Sequence, residues 1–147
     1  MRRRAGRGGQ ADGVLAALGF ADPEVAVLTP RGSSFLVEDP NAEAQQVRWE
    51  HRHVHRASLV LFWFPESESH QLIAPYELGM MAAEPTPLAV GVGPAYVRRN
   101  NLVVQLSLAR PGLTVQSRLE DTIHQVRAVL DTAVDAAEDN PYSAEQQ

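Results

Sequence analysis

Residues 56–81 read RASLVLFWFPESESHQLIAPYELGMM, in which two apolar segments flank a loop rich in Glu, Ser and His. The first segment, SLVLFWF at 58–64, is apolar almost throughout, as a strand covered on both faces of a parallel sheet must be. The second, IAPYELGMMAA at 73–83, predicts a helix with Pro75 in its first turn, where the missing N–H costs nothing. A buried strand that leads through a loop into an apolar helix is typical of an α/β fold.

The same alternation of strands and helices continues on both sides of this stretch. The patterns predict further strands at 24–30, 86–92 and 113–117, and further helices at 10–18, 42–57, 98–109 and 119–137. Strands that alternate with helices pair in parallel through right-handed crossovers, which gives a three-layer α/β sheet. Ligands of such sheets bind at the carboxyl ends of the strands, so the loops at 65–73 and 93–99 are the predicted site.

Two of these helices have a predicted inner face. The helix at 42–57 should turn Val47, Val54 and Ala57 inward and its charges outward. The last helix should begin with a capping box made by Ser117 and Glu120. Its inner stripe would comprise Ile123, Val126, Val129, Leu130 and Val134. We place the domain at 10–138, between a disordered or truncated N-terminus at 1–9 and a disordered tail at 139–147.

Composition excludes several functions. The chain has 147 residues and a formal charge of −5, with no cysteine, and all 13 basic side chains are arginine. The length suits one domain, and the charge argues against a nucleic-acid or membrane partner. Without cysteine or lysine there can be no disulfide, thiolate nucleophile, Schiff base or lysine-containing phosphate loop. No apolar run has membrane-spanning or signal-peptide character, so we expect a cytoplasmic protein.

Glu77 is a carboxylate inside the second apolar segment, at about the third position of its predicted helix. Free amides of a first turn stabilise an acid there, which explains Glu77 without any function. The same amides would keep the carboxylate ionised, as a nucleophile requires. Tyr76 beside it could orient the carboxylate through its hydroxyl or simply pack.

Further candidates lie in the two loops of the predicted site. Glu66 could supply a second carboxylate as acid or base, whereas Glu68 is more simply a solvated side chain. The second loop contains a phenol and two guanidinium groups suited to phosphate or sugar oxygens, although all three could belong to an ordinary surface loop: Tyr96, Arg98 and Arg99.

Histidines give a weaker indication of a site. In EHRHVHR, at 50–56, only His51 and His55 would share a helix face, and no third ligand lies nearby in sequence. We therefore predict no metal site. His70 lies in the loop at 65–73, where a histidine is more often a bystander than a catalyst.

Three segments together resemble the nucleoside 2-deoxyribosyltransferase-like proteins: QVRWEHRHVHRASLVLFWFPES at 46–67, IAPYELG at 73–79 and VGVGPAYVRRNNLVVQ at 90–105. The resemblance extends over about 25–134. It implies a flavodoxin-like sheet and cleavage of the N-glycosidic bond of a nucleoside or its monophosphate. It also implies that Glu77 is the nucleophile with Tyr76 beside it, that Trp63 and Pro65 contact substrate, and that no cofactor is needed. A homo-oligomer is expected.

The start of the chain departs from this family, whose members open with a strand of the form apolar, apolar, Ala or Gly, Gly, Pro. Nothing in MRRRAGRGGQADG, at 1–13, fits that strand. We therefore expect a flavodoxin-like sheet that lacks its first central strand. Either the natural protein carries a segment before Met1, or the strands at 25–28 and 59–64 pair directly.

Two functions follow from the sequence. The first is a retaining N-glycosidase or deoxyribosyltransferase with Glu77 as nucleophile. The second is a non-catalytic nucleotide-binding or interaction module of the same fold.

Overall fold

The computed structural model describes residues 26–28, 40–68 and 72–138. Contacts divide the chain into two compact units, residues 1–57 and 58–147. The helix predicted at 10–18, the N-terminus at 1–9, the tail at 139–147 and His70 all lie outside the described residues.

The described part of the first unit contains one helix, α1, Pro40–Arg56. Trp49 and His53 stack on it with ring centroids 4.0 Å apart, and Nδ1 of His53 lies 2.7 Å from the carbonyl oxygen of Trp49. Val47, predicted to face inward, is instead 57% exposed. Helical spacing identifies a shared face, but only a packed neighbour makes that face an interior one.

The strand predicted at 24–30 is not formed by Ala26–Leu28, the three of its residues that the structure describes. These residues have no regular secondary structure, and Leu28 is 60% exposed. An apolar run becomes a strand only where another segment pairs with its backbone groups. The alternative that the segment at 25–28 pairs directly with 59–64 stays a prediction.

The second unit is built on a parallel sheet. Its described strands are β1, Val60–Phe64, β2, Leu88–Val92, and β3, Val115–Gln116, in the order β1-β2-β3. The register aligns Phe64 with Val92 and Gly91 with Gln116, so the strands end at the same edge. The helices of this unit are α2, Ile73–Ala82, α3, Arg99–Ala109, and α4, Leu119–Glu138.

These helices form the outer layers of the sheet. Right-handed crossovers place α2 and α3, which join successive strands, on one face, where they contact each other. The last helix, α4, follows β3 and contacts all three strands. The predicted three-layer, flavodoxin-like parallel α/β class is confirmed.

The core lies around β2, all five residues of which are buried. Side chains from the neighbouring strand and the helices complete it, namely Phe62, Phe64, Leu78, Met81, Leu102, Leu106 and Val126. A continuous apolar run such as LAVGV is what a strand covered on both faces requires. At the amino-terminal edge of the sheet, Arg110 donates hydrogen bonds to the carbonyl oxygens of Met81, Pro85 and Thr86 at 3.4, 3.3 and 2.9 Å. The arginine thereby fastens the connection between α2 and β2.

The start of α4 differs from the predicted capping box. The helix begins at Leu119, and the backbone N–H of Thr122 donates to the carbonyl oxygen of Arg118 at 3.1 Å, so Arg118 is the residue that precedes the helix. The hydroxyl of Ser117 instead accepts a hydrogen bond from Arg99 at 2.9 Å, and Glu120 pairs with Arg118 at 3.6 Å. A long-range partner thus replaces the local one.

Candidate active site

The loops after β1 and β2 meet at the carboxyl edge of the sheet. The backbone N–H of Gly93 donates to the carbonyl oxygen of Phe64 at 2.8 Å, which extends the strand pairing one step beyond β2. Pro65 and Glu66 therefore lie beside the loop that begins at Gly93. The structure brings together the two loops in which the sequence placed the site.

Two glycines in this region make room for two predicted site residues. A Cβ atom at Gly91 would overlap Thr122 Oγ1 and lie 2.6 Å from Cε3 of Trp63. A Cβ atom at Gly93 would lie 2.8 Å from Cγ of Glu66 and 3.0 Å from its backbone nitrogen. The indole ring of Trp63 thus packs against Gly91 in β2, and the side chain of Glu66 against Gly93 just after it, where the main chain carries no side chain.

Trp63 and Glu66 differ in exposure. Trp63 is half-buried, and its Nε1 is buried with no hydrogen-bond partner in the part of the chain that the structure describes. Glu66 is exposed, as is Glu68 two residues later. Glu66 therefore combines a backbone held against the central strand with a carboxylate that solvent reaches.

Glu77 lies farther along its helix than the sequence predicted. Because α2 begins at Ile73, Glu77 is its fifth residue, and the first turn contains no acid. The predicted third position was therefore wrong, although the helix begins at Ile73, as predicted. The free amides belong to the first turn, so helix-start stabilisation does not by itself explain this half-buried carboxylate. Tyr76 next to it is 66% exposed.

Tyr96 lies in the second loop, at 93–99, and its side chain is buried. It is only 3% exposed, and its ring centroid lies 5.5 Å from that of Phe64. Burial raises the pKa of its phenol above the ordinary 10.0, and the charge of Arg98 partly opposes that shift. The structure thus places Tyr96 in contact with the core, where its ring supports the loop.

The two adjacent arginines have different environments. Arg98 is exposed and immediately precedes α3, whereas Arg99 is half-buried and donates to the carbonyl oxygen of Val92 and to the hydroxyl of Ser117. Arg98 borders an open groove of about 330 Å³, lined by Pro94, Tyr96, Val97, Arg98, Arg99, Asn100 and Asn101. The groove lies at the start of α3, where backbone N–H groups and the exposed guanidinium group of Arg98 suit an anionic group.

The histidines of α1 do not form a ligand cluster. His51 and His55 stack with centroids 4.2 Å apart, and Nδ1 of His55 lies 2.8 Å from the carbonyl oxygen of His51. Within the described ranges, no three His, Asp or Glu side chains could together hold a metal ion.

The two glycines were not identified from the sequence, and neither was Thr122, which is completely buried and lies against Gly91. The available signal was the spacing in VGVGP, at 90–94, where two glycines two residues apart should face the same side of the sheet. Glycine inside a strand often marks a close approach of another group. Ser117 was noticed only as a helix cap.

A family model described as nucleoside 2-deoxyribosyltransferase like matches residues 13–96, more than half of the chain. The chain belongs to the nucleoside 2-deoxyribosyltransferase-like family. The resemblance inferred from the three quoted segments is thereby confirmed. Within this nucleoside 2-deoxyribosyltransferase-like protein, the matched residues include Trp63, Glu66, Glu77 and Tyr96 and end before Arg98.

Comparison with curated proteins gave no match. Among the helices that the structure describes in this nucleoside 2-deoxyribosyltransferase-like chain, none has the length and apolar character needed to cross a membrane.

Proposed function

We propose that this protein cleaves or transfers the N-glycosidic bond of a (deoxy)nucleoside or nucleoside monophosphate through a covalent glycosyl intermediate on Glu77. The observation that carries the proposal is the position of Glu77. It is a half-buried carboxylate in the second turn of the helix that follows β1, within the residues matched to the family. Ligands of such sheets bind at the carboxyl ends of the strands, where a carboxylate on the helix after β1 is available as a nucleophile.

The chemistry takes two displacements. In the first, a Glu77 oxygen attacks the anomeric carbon, the bond from that carbon to the base nitrogen breaks, and the base leaves with the electron pair and takes a proton from Glu66. In the second, water or another base attacks the same carbon, Glu66 accepts the proton of the attacking group, and the glycosyl ester breaks to release the Glu77 carboxylate. Two inversions give overall retention.

The other predicted residues take supporting roles in this proposal. Tyr76, whose ring is exposed, would contact the sugar or the Glu77 carboxylate, and Trp63 and Pro65 would border the base. Arg98 would receive a 5′-phosphate in the groove at the start of α3. Arg99 and Tyr96 would support that loop, because the guanidinium already binds β2 and the phenol ring packs on Phe64.

The partners we propose are a small nucleoside or nucleotide and a second copy of the chain, with no nucleic acid or membrane. Exposed apolar side chains on the neighbouring helices α2 and α3 support the homo-oligomer, because soluble monomers rarely expose large apolar patches. These side chains are Ile73 at 68%, Tyr76 at 66%, Val104 at 56% and Leu108 at 74% exposed. Sedimentation of wild type and Leu108→Glu tests it. We expect the variant alone to be monomeric, and a monomeric wild type would contradict the oligomer.

The experiment that tests the enzyme is incubation with a panel of deoxynucleosides and their monophosphates, with and without an acceptor base. We expect wild type to release free base or form a new nucleoside, and Glu77→Gln to lose about 10⁴-fold or more in rate while remaining folded. Glu84→Gln is the matched control, because Glu84 is exposed and lies after the end of α2. A Glu77→Gln variant with most of the wild-type rate would exclude Glu77 as nucleophile.

The same panel separates the enzyme from a binding module. A module would bind a nucleotide in a calorimetric titration but release no base with any substrate of the panel. That result would overturn the proposed activity and favour the non-catalytic alternative.

A further inference from the structure

We infer that Gly93 is a positioning residue that sets where the Glu66 carboxylate lies at the carboxyl edge of the sheet. The inference rests on the proposed function, in which Glu66 is the acid and base. It assigns a role to a residue that does not itself touch the substrate.

The first support is steric. A Cβ atom at position 93 would lie 2.8 Å from Glu66 Cγ, 3.0 Å from the Glu66 nitrogen and 3.4 Å from the carbonyl oxygen of Phe64. Carbon atoms that are not bonded normally remain about 3.5–4.0 Å apart. Any side chain at Gly93 would therefore have to displace Glu66.

The second support is that Gly93 is held in place. Its backbone N–H donates to the carbonyl oxygen of Phe64 at 2.8 Å, and the residue is buried. Since the central strand is the buried middle of the sheet, the loop of Glu66 can move more easily than position 93. A clash between them would be relieved mainly by a shift of Glu66.

The third support excludes the usual reason for a glycine. Among the described glycines, only Gly112 has a positive φ, of 91°. Gly93 is therefore not needed for a left-handed backbone conformation. What it supplies is space, and the group that occupies this space is the Glu66 side chain.

A displaced Glu66 has a specific chemical consequence. Proton transfer to the leaving base requires the acid within hydrogen-bond reach of the base nitrogen. Binding of the sugar and attack by Glu77 do not require Glu66. Loss of position at Glu66 should therefore lower kcat/KM, which reports the first displacement, mainly for nucleosides whose base is a poor leaving group. The second displacement, in which Glu66 accepts a proton, should slow for every substrate.

The contact itself is tested by a stability cycle of wild type, Gly93→Ala, Glu66→Ala and the double variant. We expect Gly93→Ala to lower Tm, and to lower it less in the Glu66→Ala background, where Cγ is absent. Gly79→Ala is the matched control, because a Cβ there meets nothing within 4 Å. An equal fall in Tm in both backgrounds would overturn the inferred contact.

The positioning role is tested by comparing an ordinary purine deoxynucleoside with one whose base leaves without protonation. For Gly93→Ala we expect a fall of about 10–10²-fold in kcat/KM, which reports the first displacement, on the ordinary substrate and near wild-type kcat/KM on the activated one. Glu66→Gln should show the same selectivity, and Gly79→Ala should resemble wild type. Equal losses on both substrates would show that Gly93 is merely structural.

Failure of the proposed function would look different. If wild type releases no base from either substrate, the proposed enzymatic activity is refuted, and the position of Glu66 then has no effect on catalysis. The stability cycle, with a crystal structure of Gly93→Ala, would still decide whether Gly93 places Glu66. A Glu66 side chain that does not move in that structure would refute the inference on its own.

Discussion

The guanidinium group of Arg99 donates a hydrogen bond to the main-chain oxygen of Val92, the last residue of the central strand. Its other terminal nitrogen donates to the hydroxyl of Ser117, just after β3, at 2.9 Å. One side chain therefore joins the ends of two parallel strands at the edge where the candidate site lies. Its neighbour Arg98 remains exposed beside the groove.

The different environments of the two arginines predict different effects on stability. Arg99→Ala removes two charge-assisted hydrogen bonds from a half-buried group, so we expect it to reduce the free energy of unfolding by about 1.5–3 kcal/mol. Urea denaturation measures this. Arg118→Ala is the control and should change stability by less than about 0.5 kcal/mol, because its ion pair with Glu120 is exposed. Equal effects of the two variants would contradict the assignment.

Arg98 is expected to act on substrate binding instead. If it receives a 5′-phosphate, Arg98→Ala should raise KM for nucleoside monophosphates by about 10-fold or more and leave the values for unphosphorylated nucleosides unchanged. Steady-state kinetics on paired substrates measures the difference. An equal loss on both substrates would indicate damage to the loop fold.

Close packing at Gly91 predicts a strong effect of one added methyl group. Gly91→Ala would overlap Thr122 Oγ1 and the ring of Trp63, so we expect a loss of about 1–3 kcal/mol in stability. Gly79→Ala, on an open part of α2, should instead be neutral or raise stability by up to about 1 kcal/mol. Thermal and urea unfolding compare them. A Gly91→Ala protein as stable as Gly79→Ala would show that α4 does not approach β2 so closely.

Tyr96 predicts a dependence of stability on alkaline pH. Because burial raises its pKa in the folded protein above 10.0, the unfolded chain releases the phenolic proton first. The contribution to stability is complete below the unfolded pKa and is lost as the pH rises through the folded one.

The test is the free energy of unfolding of wild type and Tyr96→Phe between about pH 9 and pH 11. Wild type should lose stability relative to Tyr96→Phe as the pH rises, and Tyr76→Phe controls for loss of a phenol elsewhere. A constant difference between wild type and Tyr96→Phe would refute the raised pKa.

The sequence alone predicted the α/β class, because the patterns that report it are local. A continuous apolar run such as SLVLFWF predicts a strand, and period 3.6 in the last helix identifies the face that carries Val126. Full burial of that strand was not found, because only Phe62 and Phe64 of β1 are buried. The observed strands and helices at 60–138 lie within the predicted segments to within one or two residues at most boundaries. The segments at 46–67, 73–79 and 90–105 also indicated the family, which the match over residues 13–96 confirms.

The sequence also named the candidate site, since parallel strands that follow one another along the chain end at a common edge. It did not determine what each side chain does there. Tyr96, Arg98 and Arg99 are close in sequence, yet one supports the core, one is exposed and one joins two strands. Such differences depend on which distant groups lie within a few ångströms, which no local pattern records.

Tertiary structure therefore decided which role each of these side chains has. Gly93 could be recognised as space for Glu66, and Ser117 as a partner of Arg99, only after β1, β2 and β3 were aligned. The physical reason is the separation along the chain over which each kind of interaction acts. Hydrophobic period and turn chemistry act between residues a few positions apart and are written in the sequence, whereas steric fit and long-range hydrogen bonds arise when packing brings separate segments together.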